Sequence, residues 1–154
     1  MREIRALTVK QPWAHMIAYG GKIIENRVWE TYYRGLLAIH AGSGWDRNAE
    51  ASPLVREAWR AWASNAANPM VSATPLGRKN PGITFGAIIA IADLSGCHKA
   101  RGAECPCSPW GQPDQWHLEL SSVHPLAKPV PCRGWLKLWR LPPEVTAAVR
   151  GQLA

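Results

Sequence analysis

Residues 11–27, QPWAHMIAYGGKIIENR, constrain the fold of this chain more than any other stretch. Pro12 suits the first position of a helix, where its missing N–H leaves no bond unmade. Trp13, Met16 and Ile17 follow at i, i+3 and i+4 and form one apolar stripe. Gly20 and Gly21 then end the helix, one of them expected in the left-handed conformation. A helix this short does not persist alone in water, so it must dock on a sheet. Residues 22–29 read as the next strand, with Ile24, Asn26 and Val28 on one side and Ile23, Glu25, Arg27 and Trp29 on the other. Lys22, Glu25, Asn26 and Arg27 crowd together behind the glycines, which predicts a polar, functional face.

The remaining elements are read around that stretch. Residues 5–9 alternate weakly as a first strand, 31–35 form a turn, and 36–40 form a buried strand followed by a loop at 41–44. Residues 45–65 are helical in pattern, with Asp46 able to cap and Pro53 imposing a break or a new start. Pro69, Pro75, Gly77 and Pro81 make 65–82 a long surface loop and a candidate lid. Residues 83–94, ITFGAIIAIADL, are apolar on both faces, as a central strand should be. Residues 95–114 are irregular, 115–120 alternate as a strand, and 123–133, with three prolines, are extended or looped. A last strand over 134–139 leads to a helix opened by Pro142, Pro143 and Glu144. This order predicts an α+β fold: one domain over 1–154, built as a small mixed β-barrel of about five or six strands with flanking helices.

Charge and composition narrow the partners. A net charge of +7 favours an anionic partner, RNA or a nucleotide first. Nine Trp against one Phe is an unusual balance, and Trp serves cores, base-stacking platforms and pockets alike. No apolar run reaches the roughly 18 residues of a membrane span, and the N-terminus lacks a secretory h-region. A cytoplasmic location is therefore expected, with the four cysteines reduced. Cys97, His98, Cys105 and Cys107 invite a zinc reading. Their C-H-x₆-C-x-C spacing lacks the paired C-x₂-C knuckles of structural sites, so thiols packing a loop are expected, with no metal and no cofactor.

Read together, QPW, GGKIIENR and YRGLLAIHAG resemble the ASCH domain, a branch of the PUA-like superfamily. Gly20, Lys22, Glu25 and Arg27 meet its G-x-K-x-x-E-x-R signature. The strand GAIIAIADL, the PWG at 109–111 and PVPCRGWLKLWRLP near the end also fit, so the resemblance covers nearly the whole chain. It implies a β-barrel with flanking helices and a cleft beside the first helix. ASCH domains are associated with RNA binding and transcriptional coactivators. A small bacterial member is an amidohydrolase that deacylates N4-acetylcytidine, and others have been connected with ribonuclease activity. Fold transfers across such a family more readily than activity does.

The resemblance implies roles for particular residues. In the small amidohydrolase a lysine and a threonine of this motif act with a distant glutamate. Lys22 matches the lysine, and Glu25 stands where the threonine would be. Lys22 and Glu25 are then the candidate catalytic pair, acting through an activated water or by direct attack of Lys22. On a regular strand they would face opposite ways, so a bend at 20–23 is part of the expectation. Glu104 and Glu119 are candidates for the distant glutamate.

Arg27 suits a phosphate or carbonyl oxygen, or an ion pair with Glu25 or Glu30. Asn26 can read a base edge or satisfy backbone. Gln11 and Trp13 start the helix whose N–H groups can collect an anion, though Trp13 also suits the core. His40 ends a buried strand, and Trp110 can stack on a base from its loop. Hydrolysis of an N4-acylated cytidine-type nucleoside is the leading expectation. A non-catalytic RNA- or nucleotide-binding module is the alternative, and a ribonuclease using Lys22 and His40 the third.

Overall fold

The structure, a computed structural model, describes residues 2–101 and 107–153. Its strands are β1 (Ile4–Gln11), β2 (Ile24–Arg27), β3 (Gly35–Trp45), β4 (Ala87–Lys99), β5 (Trp116–Pro131) and β6 (Leu138–Arg140). Its helices are α1 (Trp13–Tyr19), α2 (Pro53–Ala63), α3 (Pro69–Ala73) and α4 (Pro143–Leu153), with a 3₁₀ turn at Arg47–Ala51. The strands form one sheet in the order β2-β5-β4-β3-β1-β6. Strands β1 and β3 are parallel and the other neighbours antiparallel.

This is the expected α+β architecture with six strands and flanking helices, but the sheet is open. Its edges are β2, of 4 residues, and β6, of 3. Strands that short offer too few ladder bonds to close a barrel, and they leave little edge for another chain to pair with.

Alternation along the strands sends side chains to two cores. Leu7, Leu37, Ile39 and Leu118 pack beneath Ile17 of α1. Ala6, Ala38, Ile88 and Ile91 face the other way, against Val145 and Val149 of α4. Leu7, Leu37, Ile39 and Ile88 are fully buried, and burying such a side chain is worth about 2 kcal/mol. A third cluster joins Met16 of α1 to Val55 and Trp59 of α2 and to Val71 of α3. His15 sits beside it, its ring 4.3 Å from that of Trp62 and 4.8 Å from that of Tyr19. Burial pushes this imidazole down to about 3, so it is neutral at ordinary pH.

Several boundaries differ from the sequence expectation. The loop expected at 41–44 is strand, because β1 runs alongside and keeps β3 paired as far as Gln11 and Trp45. The loop expected over 65–82 contains α3, capped by Asn68 accepting from the Met70 N–H, with Val71 in the core. The strand expected from 83 begins at Ala87, after Gly86 turns the chain at φ +69°. It then runs on to Lys99 because β5 pairs with it throughout.

Strand β5 itself passes through Pro125, Pro129 and Pro131. Its outer neighbour β2 pairs only with residues 116–119. Beyond them one side of β5 has no ladder to complete, which is where a sheet accepts proline. Pro53 does start a new helix, as expected, and Asp46 caps the 3₁₀ turn before it. Among the described residues no helix is long and apolar enough to cross a membrane.

Candidate functional site

The short α1 ends where its last carbonyls need partners. The carbonyl of Met16 accepts from the N–H of Gly20 at 2.8 Å and from that of Lys22 at 3.1 Å. Between them Gly21 takes φ +74°. A Cβ there would meet nothing within 4 Å, so the need for glycine is purely conformational. Lys22 is thereby tied to the helix end and does not enter the ladder, which begins at Ile24. This is the bend expected at 20–23, and it turns Lys22 toward Glu25.

Lys22 is 2% exposed and Glu25 7%. The Lys22 Nζ donates to Glu25 Oε1 at 2.8 Å and to the carbonyl of Ile24. Arg27 approaches the other carboxylate oxygen, donating to Oε2 from Nε at 3.1 Å and from Nη2 at 2.9 Å. Burial alone would raise the Glu25 carboxyl, but the charges and hydrogen bonds of Lys22 and Arg27 outweigh it and hold the group below its ordinary value. Arg27 Nη2 also donates to the carbonyl of Thr8, tying β2 to β1 across the cleft. The third Lys22 N–H and both N–H groups on Arg27 Nη1 have no protein partner among the described residues. They are the donors the site can offer to a ligand.

Glu25 and Arg27 lie at the inner wall of a cleft of about 540 Å³, lined by Thr8, Lys10, Trp13, Trp29, Trp135 and Lys137 among others. A smaller recess of about 110 Å³ brings Lys22 and Glu25 together with Asn26, Trp110, Gln112 and Gln115. An adjoining lobe shares Thr8, Trp135 and Leu136 with the cleft and is walled by His40 and Arg133. The combination of cations, aromatic faces and a few fixed polar groups is that of a small-molecule pocket. A further hollow of about 390 Å³ between α2 and α3 contains none of the candidate residues, so the site is placed in the cleft.

Most of the sequence candidates converge here. Trp13 does both things open to it: it packs against the core, anchors its Nε1 on Asp46 at 2.9 Å, and stands 5.8 Å from the Lys22 ammonium. Asn26 donates to the carbonyl of Trp110 at 2.9 Å and accepts from the Gln112 N–H at 2.8 Å, so it holds the loop that carries Trp110. Arg27 takes the ion pair with Glu25 rather than with Glu30.

Two candidates sit apart from the pair. His40 lines the adjoining lobe, donating through Nε2 to the carbonyl of Cys132 at 2.8 Å. Burial lowers its pKa despite that bond. A carbonyl can only accept, so Nε2 carries the proton. Gln11 is not brought to the cleft. Its amide is occupied by the Thr84 carbonyl at 2.7 Å and the His15 N–H at 2.9 Å, which makes it a brace at the start of α1.

Glu119 does not reach the cleft either. It pairs in register with Ile24 while Glu25 pairs with Leu118, so Glu119 and Glu25 occupy opposite faces of the sheet. Glu104 and Cys105 lie outside the described residues. Thr8, Lys10, Trp29 and Trp135 line the cleft without having been expected there. Of these, Trp29 alone carried a signal, as the next residue on the Glu25–Arg27 face. Thr8 and Trp135 come from distant segments that only the β1–β6 side of the sheet brings together.

The model of the ASCH domain matches residues 7–122, which carry all of the cleft lining except Trp135, Leu136 and Lys137. The fold is similar to that in a crystal structure of a mutant ZmASCH protein from Zymomonas mobilis. The match covers 97% of this chain and 98% of that one, at 14% sequence identity and a TM-score of 0.53. At that identity the likeness concerns the fold alone. No curated protein matches the chain in sequence.

Proposed function

The chain belongs to the ASCH domain family, and from that premise we propose that it is an amidohydrolase removing the acyl group from N4-acylated cytidine-type nucleosides. The observation that carries this reading is the buried contact between Lys22 Nζ and Glu25 Oε1, 2.8 Å, in a small recess whose Glu25 also lines a cleft with aromatic and cationic sides. The third Lys22 N–H is placed to donate to the acyl carbonyl oxygen, where negative charge develops. Glu25 is ionised and Oε1 accepts only from Lys22, which leaves it room to take a proton from an attacking water. Collapse of the tetrahedral intermediate breaks the C–N4 bond, and the amine leaves with a proton from Lys22. The products are the cytidine-type nucleoside and a carboxylic acid. No hydroxyl nucleophile is needed, which answers the presence of Glu25 where the related hydrolase has threonine.

The same cleft suits the nucleoside. Trp13, Trp29 and Trp135 offer flat apolar faces, and Arg27 Nη1 offers a donor to ribose or base. The test is absorbance of N4-acetylcytidine mixed with the purified chain. Turnover by the wild type, lost in Lys22→Met, is the expected result. No turnover by the wild type would overturn the hydrolase reading.

One observation favours a second reading, a non-catalytic nucleotide-binding module. Arg27 places two hydrogen bonds on Glu25 Oε2, and a carboxylate so stabilised is a weak base. A binding module would hold cytidine and N4-acetylcytidine equally well and release both unchanged. Contact with an RNA backbone would also show a steep loss of affinity with salt. A ribonuclease using Lys22 and His40 together is less favoured, since the two line different lobes.

A further inference from the structure

Behind the cleft, on the opposite face of the sheet, a second group of reactive side chains meets. Residues His98 of β4 and His117 of β5 are register partners, and their rings stand edge to face with centroids 5.0 Å apart. The Cys107 Sγ lies 3.1 Å from His117 Nδ1. One donor atom from each of the three lies within 4.8 Å of the others. Tetrahedral zinc with imidazole and thiolate ligands sets its donors about 3.3–3.8 Å apart, a contraction that side-chain rotation can supply.

The two imidazoles are oriented as ligands. His117 Nε2 lies 2.7 Å from the carbonyl of Gln112. A carbonyl only accepts, so Nε2 carries the proton and the lone pair is on Nδ1, the atom that faces Cys107. His98 Nδ1 lies 3.0 Å from Glu119 Oε2. That carboxylate accepts from Nδ1–H, which fixes the tautomer with the proton on Nδ1. Each ring thus gives its N–H to a fixed acceptor, the orientation that outer-shell partners impose on ligating histidines at zinc sites.

Close packing fixes the loop as well: a Cβ on Gly111 would come within 2.5 Å of His117 Cε1. Cys97, by contrast, pairs with Leu118 and packs against the core on the cleft side. Among the described residues the set therefore keeps His98 and Cys107 from the run read in the sequence, leaves out Cys97 and adds His117. It draws one ligand from each of two facing strands and one from the loop.

We infer that His98, Cys107 and His117 form a zinc site that staples the Trp110 loop to the sheet. Two histidines and a thiolate suit zinc among the common divalent ions. Among the described residues the site has these three protein donors, one fewer than the four of a tetrahedral zinc. The staple would act on the cleft from behind. Gln112, which accepts from His117, also donates to Asn26, and Asn26 holds the carbonyl of Trp110. Glu119 is a positioning residue, acting through His98. This inference stands whether or not the cleft hydrolyses anything.

The test is zinc content and cobalt binding of the full chain, produced without a histidine tag. The expected result is one zinc per chain after dialysis, and on Co²⁺ exchange a thiolate-to-cobalt charge-transfer band. Cys107→Ser and His98→Ala each abolish the band, while Cys97→Ser and Cys132→Ser keep it. These positions are accessible enough to change without unfolding the chain, unlike His117. Glu119→Gln keeps the band but weakens zinc affinity about 10- to 100-fold. A wild-type chain that neither retains zinc nor binds added Zn²⁺, or a Cys107→Ser chain that binds it as well as the wild type, would overturn the inference. In that case the Cys107–His117 contact is a thiol–imidazole hydrogen bond and nothing more.

Discussion

Lys22 and Glu25 touch, Nζ to Oε1 at 2.8 Å, although they stand three positions apart and a regular strand would set them on opposite faces. The contact exists because Lys22 precedes the strand and hangs from the carbonyl of Met16. On the proposed hydrolase reading, chemistry and stability are therefore coupled at this pair.

Removing the ammonium separates the two. Lys22→Met keeps the length of the side chain but strips a buried carboxylate of its nearest cation. Breaking such a pair costs about 3 kcal/mol, and losing the donor to the oxyanion lowers turnover about 100-fold or more. Lys22→Met combined with Glu25→Leu should recover much of the stability and none of the turnover. Urea denaturation and N4-acetylcytidine hydrolysis read the two effects. A stable single mutant with normal turnover would remove the pair from both roles.

Gly21 tests the bend itself. At φ +74° an L-residue is strained, and no neighbour adds a clash. Gly21→Ala should cost about 1–2 kcal/mol, and turnover should fall further than stability alone explains, because Lys22 shifts with the bend. Unchanged turnover would mean that the position of Lys22 does not depend on the turn.

Acid should weaken the fold in two stages. His15 has its folded pKa depressed from 6.5 to about 3, so the unfolded chain binds the proton first. Its contribution is complete above the ordinary value and is lost as pH falls toward 3, with a slope of up to about 1.4 kcal/mol per pH unit. Glu25, also depressed, adds stability that is present above its ordinary value of 4.5 and is lost as pH falls through its lower folded value. Urea midpoints measured against pH should therefore begin to fall near neutrality. In His15→Leu the fall between neutrality and the carboxylate range should shrink to the part contributed by His40, whose pKa burial also lowers. An identical profile in that variant would clear His15 of the effect.

Trp135 stands at the lip of the cleft, 51% exposed, with the Arg133 guanidinium 4.1 Å from its ring centroid. Base–aromatic stacking is worth about 1–3 kcal/mol, so Trp135→Ala should weaken cytidine binding by about 5- to 150-fold and leave the melting temperature nearly unchanged. Calorimetry at two salt concentrations reads both the loss and its salt dependence. A neutral nucleoside in a pocket should respond little to salt, whereas an RNA held by its backbone would respond steeply. Undiminished binding would place the base elsewhere in the cleft.

How much of this could be read from residues in order depends on the range of the interaction. The short helix, its glycine stop, the new start at Pro53 and the cap at Asp46 are set by neighbours within a few positions, and all were legible. The clustering of Lys22, Glu25, Asn26 and Arg27 was legible for the same reason. What stayed hidden depended on partners far along the chain. The prolines of β5 left that stretch open between extended and looped, because nothing local says that β2 is too short to pair beside them. Gln11 looked like a ligand residue, yet its amide is claimed by Thr84, 73 positions away.

Motif resemblance in the sequence pointed to the family, and local backbone preferences and side-chain periodicity, which act over a few residues, determined the α+β class and the residues of one cleft wall. The tertiary structure decided the opposite wall, where Thr8, Trp135 and His40 meet, and the open edges of the sheet. It also decided which faces the polar residues of β2 and β5 would serve. Cross-strand register is a long-range choice: pairing Glu25 with Leu118 and Asn26 with His117 sends Lys22 and Glu25 to the cleft and His98, Cys107 and His117 to the other side.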